Sequence, residues 1–591
     1  MSGNVAVLKA AYGEYTDDIG QNIGMMWMDW DAKRQPKKAE WRELTEYIFA
    51  TDTTTTSAGA LPWKNSTTLP KLCQLRDNLH ANYISALFPN DNWLEWVGQD
   101  LSDSTQAKKK AITAYIQNKC NESGFKEIVS RAVLDYIDYG NAMGNVEYVI
   151  DGFTDEFTGE YTTTYEGPKL RRNSPYDYVF NPTATDFTSS PIIKREIKTI
   201  GELELLAQQP DYSFWNDALK ERKEFTRNLG AYTTSDIEKM GQYMDDGFGD
   251  WYSYFRGSFV EVLTFTGDWY DQEAGVTHKS REITVIDRCR VVEDRQIPSW
   301  LGKKHHFHTG WRKRPDNIYG MGPLDNLVGM QYRIDHLENL KADAMDLIVH
   351  PPLVVKGDVE PFQWGPNALI QVLDGDIGEL GLGLQGVATA DNQIAMLEAK
   401  MEEFAGAPKQ AMGIRTPGEK TAFEVQALEN AAGRIFQEKI TQFEVEWLEP
   451  ALNGMLECAR RNLDVSDVVR VMDDDIGVEE FISVTKEDIT ARGRLRPMGA
   501  RHFGQQAQTM QNLNQLLNGP MGQMVAPHIS RKQLAKLIED SLQLEQYKII
   551  RPNVGVVEDA ETQQLAQQGQ QQTMTEAAVP PPGMTDAPPM G

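Results

Sequence analysis

Residues 322–352 read GPLDNLVGMQYRIDHLENLKADAMDLIVHPP. Gly322-Pro323 opens a helical pattern that runs unbroken to His350. Pro351-Pro352 must stop it, because proline has no amide proton and its ring clashes with the turn before it. The spacing predicts one helix of about 30 residues, or ~45 Å at 1.5 Å per residue. The residues after it give that helix its setting. Residues 351–389 are glycines, prolines and short apolar runs, residues 390–404 regain helical spacing, and residues 405–420 form a loop. A third helix is predicted over 421–462. Thr421 and Glu424 supply a T-x-x-E capping box at its start, so two orphan backbone N–H groups gain side-chain partners. Pro450 is placed to kink it.

Working back toward the N-terminus, residues 144–310 are mostly strand and turn. Residues 144–150, 259–266 and 281–292 read as strands, with Gly267 and Gly275 in the connection between the last two. A helical insertion over 200–219 interrupts the region, and 222–249 reads as a mobile loop with some helix. Further back, helices are predicted over 38–49, 70–87, 103–120 and 125–139. Leu72, Leu75, Leu79, Tyr83, Ile84 and Leu87 mark the apolar face of the second of these. Residues 51–60 are a Thr/Ser/Gly linker. Toward the C-terminus, 467–490 reads as a small strand unit around the acidic turn Asp473-Asp474-Asp475. Two helices come after it over 499–547, the second opened by a capping box of Ser530 and Gln533. From about 561 the Gln-rich and then Pro-rich tail has too few apolar side chains to offset its ordering entropy, and disorder is expected. The fold class is therefore α+β and helix-rich.

The chain has 591 residues, with 59 Lys and Arg against 86 Asp and Glu, a net charge of −27. A protein that coats nucleic acid would be basic, so that class is disfavoured, whereas one that lets DNA pass by is not. No run reaches the roughly 18 apolar residues of a membrane helix, so no membrane is expected. The first 17 residues lack the basic and apolar regions of a secretory signal. Cys73, Cys120, Cys289 and Cys458 are far apart and form no C-x-x-C pair, which argues against a disulfide framework or zinc module and for either a reducing cytosol or a chain with no need of disulfide staples.

Two glycine motifs invite a nucleotide reading. Residues 413–421 almost match G-x-x-x-x-G-K-[ST], but Glu419 displaces Lys420 and sets a carboxylate where phosphate would lie. A helix, not a strand, precedes it. Residues 381–386 match G-x-G-x-x-G, yet Ala405-Gly406-Ala407-Pro408 stands where the second strand of a dinucleotide fold belongs. A loop and a tight turn fit better. His306 and His308 would share one face of a strand as two metal ligands, but no acidic or Cys partner sits nearby in sequence. Asp473 to Asp475 lack the spacing of a calcium loop. No nucleophile elbow or zinc-protease helix occurs. Neither a cofactor nor catalysis is expected.

The order of parts from 322 onward resembles the stem, clip, stem, tunnel loop and crown of a tailed-bacteriophage portal protein, the head-to-tail connector, especially that of short-tailed phages. Residues 408–425, PKQAMGIRTPGEKTAFEV, are similar to the loop and helix of that family, in which a Gly-Glu-basic turn precedes the helix. Residues 319–323, YGMGP, resemble its entry to the first stem helix, and residues 174–184 with Ile193-Lys194-Arg195 resemble its wing domain. The resemblance covers roughly residues 70–545 and rests on the order of modest words. It implies an N-terminal arm and linker over 1–66, a wing over 67–318, stem helices over 319–350 and 390–404, and a small β-containing clip over 351–389. It further implies a tunnel loop over 405–420, a long helix and wing return over 421–498, a helical crown over 499–548 and a disordered tail over 549–591.

The resemblance also implies a function without catalysis. Twelve copies would form a ring at one capsid vertex, with double-stranded DNA passing through it during packaging and ejection. The large terminase would dock on the clip, a tail adaptor protein would replace it, and major capsid and scaffolding proteins would surround the wing. The chain would thus be assembled in the host cytoplasm and end in the virion. Lys409, Arg415 and Lys420 are the candidate DNA-facing residues of the tunnel loop, with pairing to acidic groups of a neighbouring subunit as the plainer reading. Lys356, Asp358, Glu360, Phe362 and Trp364 are the candidate clip residues for partner docking, with a small local core as the plainer reading. Two other functions stay open: another virion structural protein, such as an adaptor or internal core protein, and a nucleotide-dependent packaging enzyme resting on the glycine motifs.

Overall fold

The structure, a computed structural model, describes residues 17–49, 65, 67–89, 93–98, 106–154, 161–208, 212, 214–228, 258–271, 275–299, 303–349, 353–359, 372–379, 385–405, 435–463, 466–472, 479–485, 489 and 493–497. The chain divides into two compact units, and nearly all of these residues belong to the first, which comprises 1–89, 93–470 and 481–500. The described residues mix helix and strand, as those of an α+β protein do. The expected capping box at Thr421, residues 406–420 of the expected loop, the acidic turn at 473–475, the two helices over 499–547 and the tail all lie outside the described residues, while Ala405, expected to open that loop, is still helical.

Helices α1 (Asp18–Lys33), α2 (Gln35–Ile48) and α3 (Lys71–Leu87) come first, followed by strand β1 (Leu94–Gly98). Helices α4 (Gln106–Glu122) and α5 (Phe125–Asp138) lead into β2 (Asn141–Thr154), β3 (Tyr161–Asn173), β4 (Tyr178–Phe180) and β5 (Ile192–Thr199). The insertion holds two helices, α6 (Ile200–Ala207) and α7 (Trp215–Asn228), and the second runs past the expected end at 219 into the segment expected as a loop with some helix. Thr199 accepts from the Glu202 amide while Glu202 reaches back to the Thr199 amide, a capping box that turns the chain out of β5 into α6. Strands β6 (Phe259–Asp271), β7 (Val276–Ile286), β8 (Arg290–Gln296) and β9 (His306–Gly310) complete the β-rich region.

Strands β4 to β8 form a five-stranded antiparallel sheet in chain order, and β3-β2-β9 form a three-stranded one. Alternation along β6 sorts the core. Leu263 and Phe265 join Ile23, Trp27 and Trp30 of α1 on one face, while Val260 and Val262 meet Leu203, Ala207, Trp215 and Leu219 of the inserted helices on the other. Met143, Tyr178, Phe180, Phe187, Ile192 and Ile318 form a third cluster. Each of these large side chains contributes about 1.5–3 kcal/mol by leaving water. Leu263, wholly buried, is the change that would break the α1 face, at about 2–5 kcal/mol for Leu263→Ala.

Helix α1, with Asp17 and Arg34 at its two ends, is docked on this sheet. A Cβ at Gly20 would lie 2.4 Å from the carbonyl oxygen of Cys289, and one at Gly24 2.4 Å from that of Arg288. Only glycine lets the helix backbone approach that closely. Asp17 accepts twice from Arg290 at 2.9 Å, and the Arg34 guanidinium donates to the carbonyls of Pro175 and Tyr178 at 2.6 Å and to that of Tyr176.

Two strand expectations are corrected. Residues 281–292 are not one strand: Asp287 and Arg288 both take positive φ, 53° and 61°, and reverse the chain between β7 and β8. This left-handed turn without glycine is held by outside groups. Arg288 makes a two-bond pair with Glu261 at 2.6 and 2.8 Å, and Arg222 pairs with Asp287 at 2.7 Å with both side chains buried. Gly267 lies inside β6 at a register shift, not in the connection.

Past β9, a short 3₁₀ turn (Asp325–Leu327) precedes helix α8 (Val328–Val349). The long helix therefore begins at Val328 rather than 322. Asp325 accepts from the Gly322 amide and pairs with Lys37, which keeps 322–327 out of the helix. The antiparallel ribbon β10 (Leu353–Val359) and β11 (Val372–Glu379) comes next, then α9 (Gln385–Ala405). Helix α9 starts five residues before the expected 390, within the second glycine motif, and Gly386 is helical. The return segment is helical from 435, widens into a π-turn (Glu444–Leu448) and continues as α10 (Glu449–Asn462). Pro450 cannot donate to the helix ladder. The chain meets this with the wider turn, in which the Glu449 amide reaches Glu444 five residues back. Strands β12 (Ser466–Met472) and β13 (Glu479–Thr485) pair, and β14 (Gly493–Pro497) pairs with β1 across the length of the chain.

Candidate functional site

The candidate site is the excursion from α8 through the β10–β11 ribbon to α9, with the return segment at 435–463. Helix α8 leads out to the ribbon and α9 comes back alongside it, with Lys341 of α8 bonded to Asp391 of α9 at 3.1 Å. Ile334 and Leu337 of α8, and Ile394, Met401 and Ala405 of α9, are buried. Tyr332, Leu340, Met345 and Val349 on α8, and Met396 and Phe404 on α9, are exposed. A pair of helices that shows six large apolar side chains to solvent has more apolar surface than its own packing uses.

The roots of the excursion are pinned by polar groups. Lys71, at the start of α3, bonds Glu402, in the last turn of α9, at 2.8 Å with both side chains buried. Gln331, Asp335 and Asn339 recur every four residues on one stripe of α8 and are buried. All three bond the main chain of the segment that enters α3. Asn339 accepts from the Thr67 amide at 2.7 Å and donates to its carbonyl at 3.2 Å. Asp335 accepts from the Leu69 amide at 2.9 Å. Gln331 donates to the Leu69 carbonyl and accepts from the Leu72 amide at 3.3 Å, which satisfies one orphan N–H at the α3 N-terminus. On the return side, Phe436 packs edge-on against Tyr83 of α3 at 4.9 Å, and Tyr136 donates to the Lys439 carbonyl at 3.3 Å. Glu446 accepts from Thr309 at 2.8 Å and pairs with Lys313 at 2.6 Å.

Of the candidate clip residues, Lys356 and Asp358 lie on β10, in register with Asp376 and Asp374 of β11. Glu360, Phe362 and Trp364 lie outside the described residues, as do Lys409, Arg415 and Lys420. The structure thus brings two of the candidates onto one strand and gives no placement for the rest.

The histidines of β9 have protein partners. Asn173 donates to the Tyr178 hydroxyl at 3.2 Å, and that hydroxyl and His306 Nδ1 are 2.5 Å apart, an arrangement in which Tyr178 donates and the proton of His306 sits on Nε2, toward Thr266. Asn173 also donates to Asn145, whose oxygen lies 3.3 Å from the Lys194 ammonium. His308 bonds Asn141 at 3.1 Å. Burial, reinforced by nearby lysines, lowers His306 well below the ordinary imidazole range and takes His308 down to about 3. Both rings are therefore neutral and spent on hydrogen bonds between strands. Among the described residues, no group of three or more His, Cys, Asp or Glu side chains is arranged to hold a metal ion. No helix among them is long and apolar enough to cross a membrane. The sequence reading missed both the α8 stripe and this network, whose members are drawn together from positions far apart in the chain.

No protein-family model matches the chain, and no curated protein is similar to it at a significant level.

Proposed function

We propose that the chain is the subunit of a phage portal: a ring at one capsid vertex that forms the channel for DNA packaging and ejection. The observation that carries the reading is the helix–ribbon–helix excursion, α8, β10–β11 and α9, set between a β-rich body and a helix that returns to that body. In this reading α8 and α9 are the stem, the ribbon is the clip, and the body built on the five-stranded and three-stranded sheets is the wing. Six exposed apolar side chains on α8 and α9 support it, because neighbouring stems in a ring would bury them. The net charge of −27 supports it as well, since attraction at every phosphate would turn a channel into a brake.

The proposed division of labour rests on the chemistry. The chain acts as conduit and docking site and has no catalytic step of its own. The motor that spends nucleotide, a large terminase, docks at the clip around Lys356, Asp358, Glu360, Phe362 and Trp364, and a tail adaptor takes its place after packaging. Lys409, Arg415 and Lys420 face the DNA, and capsid and scaffolding proteins surround the wing. Negative-stain imaging of the purified protein tests the reading. Rings with an open centre are expected, and a field of small compact particles at every concentration would contradict it.

A further inference from the structure

We propose that residues 67–70, with the Asn65 side chain as an outer anchor, are a releasable strap: they leave α8 by a local opening well below the free energy of global unfolding, while α3 stays in place. The inference stands independently of the portal reading. Its basis is how the segment is held. Gln331, Asp335 and Asn339 bond the amides or carbonyls of Thr67, Leu69 and Leu72. At its outer end the Asn65 side chain donates to Asp343 at 2.7 Å and to Asp346 at 2.9 Å. Bonds at Thr67 and Leu69 fall on alternate residues, as those to a neighbouring strand do, so α8 reads the backbone there and not the side chains.

The strap also buries little. Thr67 and Pro70 are exposed, and Asn65, Thr68 and Leu69 are only half-buried. By contrast Leu72, Leu75, Leu79, Tyr83 and Leu87 of α3 are almost wholly buried. Opening the strap exchanges protein hydrogen bonds for water at little apolar cost, whereas opening α3 exposes a core face. Segments with few buried apolar groups and polar anchors are the ones that open first.

Hydrogen exchange on the full-length protein, read by mass spectrometry at low denaturant, tests this. The amides of Thr67 and Leu69 are expected to exchange about a hundredfold or more faster than those of Leu79 and Tyr83, with a rate nearly independent of denaturant. Asn339→Ala removes two of the bonds and should speed exchange at Thr67 by about tenfold or more. Thr67→Ala should leave the exchange unchanged, because the clasp does not read that side chain. If Asn339→Ala folds poorly, Thr67→Pro removes the same amide donor from the strap side and should speed exchange at Leu69. Exchange at 67–69 in step with that of α3, with the same denaturant slope, would overturn the proposal. So would an acceleration by Thr67→Ala equal to that by Asn339→Ala.

Discussion

Lys71 and Glu402 stand 331 positions apart in the sequence and 2.8 Å apart in the fold, 9% and 5% exposed at their side chains. The pair ties the start of α3 to the last turn of α9. Two charges so buried repay their desolvation only together. Lys71→Met leaves the Glu402 carboxylate without that partner and should cost about 3 kcal/mol of stability in chemical denaturation. The double variant Lys71→Met, Glu402→Leu should recover most of that loss. If the single variant loses no more than the double, the pair does not hold the root of α9.

The β9 histidines predict an acid-side loss of stability. Folded His308 titrates near 3 because it is buried beside Lys313 and Lys304, whereas the unfolded ring titrates near the ordinary 6.5. A group held below its unfolded value takes up no proton while the unfolded chain does, so stability falls as the pH drops below about 6.5, and the loss continues to about 3. Between pH 7 and pH 5 the change is roughly 2 kcal/mol for this ring. Asp135, which burial holds up at about 6 against the pull of Arg172, titrates in the opposite sense in part of this window. The test is therefore a comparison of variants. His308→Gln should lose less stability than the natural protein between pH 7 and pH 5, and equal losses in urea unfolding would count against a neutral buried His308.

Alanine at Gly20 should undock the first helix. In an exposed helix that substitution gains about 1 kcal/mol. Here the added Cβ meets the Cys289 carbonyl oxygen at 2.4 Å, and backbone on both sides must give. The clash outweighs the propensity, and the net effect should be destabilising by about 1–3 kcal/mol. Limited proteolysis should cut Gly20→Ala within 17–49 faster than the natural protein. Equal cutting would mean that the helix does not sit this close to the β7–β8 turn.

Substituting Lys409 and Arg415 by Glu places negative charge before DNA from every subunit of the proposed ring at once. A repeated charge acts even when each copy is screened by salt. Rings should still assemble and still recruit terminase, while heads should package less DNA or fail to retain it. DNA content of purified particles measures this, and normal content would remove these two residues from the channel wall.

Legibility in the sequence has a physical dividing line. Helix α3 was readable because its apolar residues repeat at helical spacing, and α5 likewise, starting at Phe125 as expected. The β7–β8 turn was not, because no glycine or proline marks it and Arg288 is no turn former, while Glu261 and Arg222 from other elements hold Asp287 and Arg288 left-handed. The start of α9 was missed because Gly386 reads as a turn, although a glycine costs a helix only about 1 kcal/mol. The start of α8 was read too early because Asp325 spends its carboxylate on Lys37 and on the Gly322 amide. Of the candidate site, the order helix, Gly/Pro-rich excursion, helix was legible, and strand in that excursion was expected only from the resemblance. The stripe of Gln331, Asp335 and Asn339 was not: three polar residues on a helix look like a wet face until the main chain of 67–72 arrives to cover them.

The portal reading stands or falls on native mass spectrometry of the purified full-length chain, without nucleotide, DNA or partner. One closed assembly of many subunits is expected, twelve by that reading, with no open-ended series of masses, because a head-to-tail interface that closes leaves no free end. A protein that stays monomeric at every concentration tested, or that forms an unbounded ladder of oligomers, would contradict it.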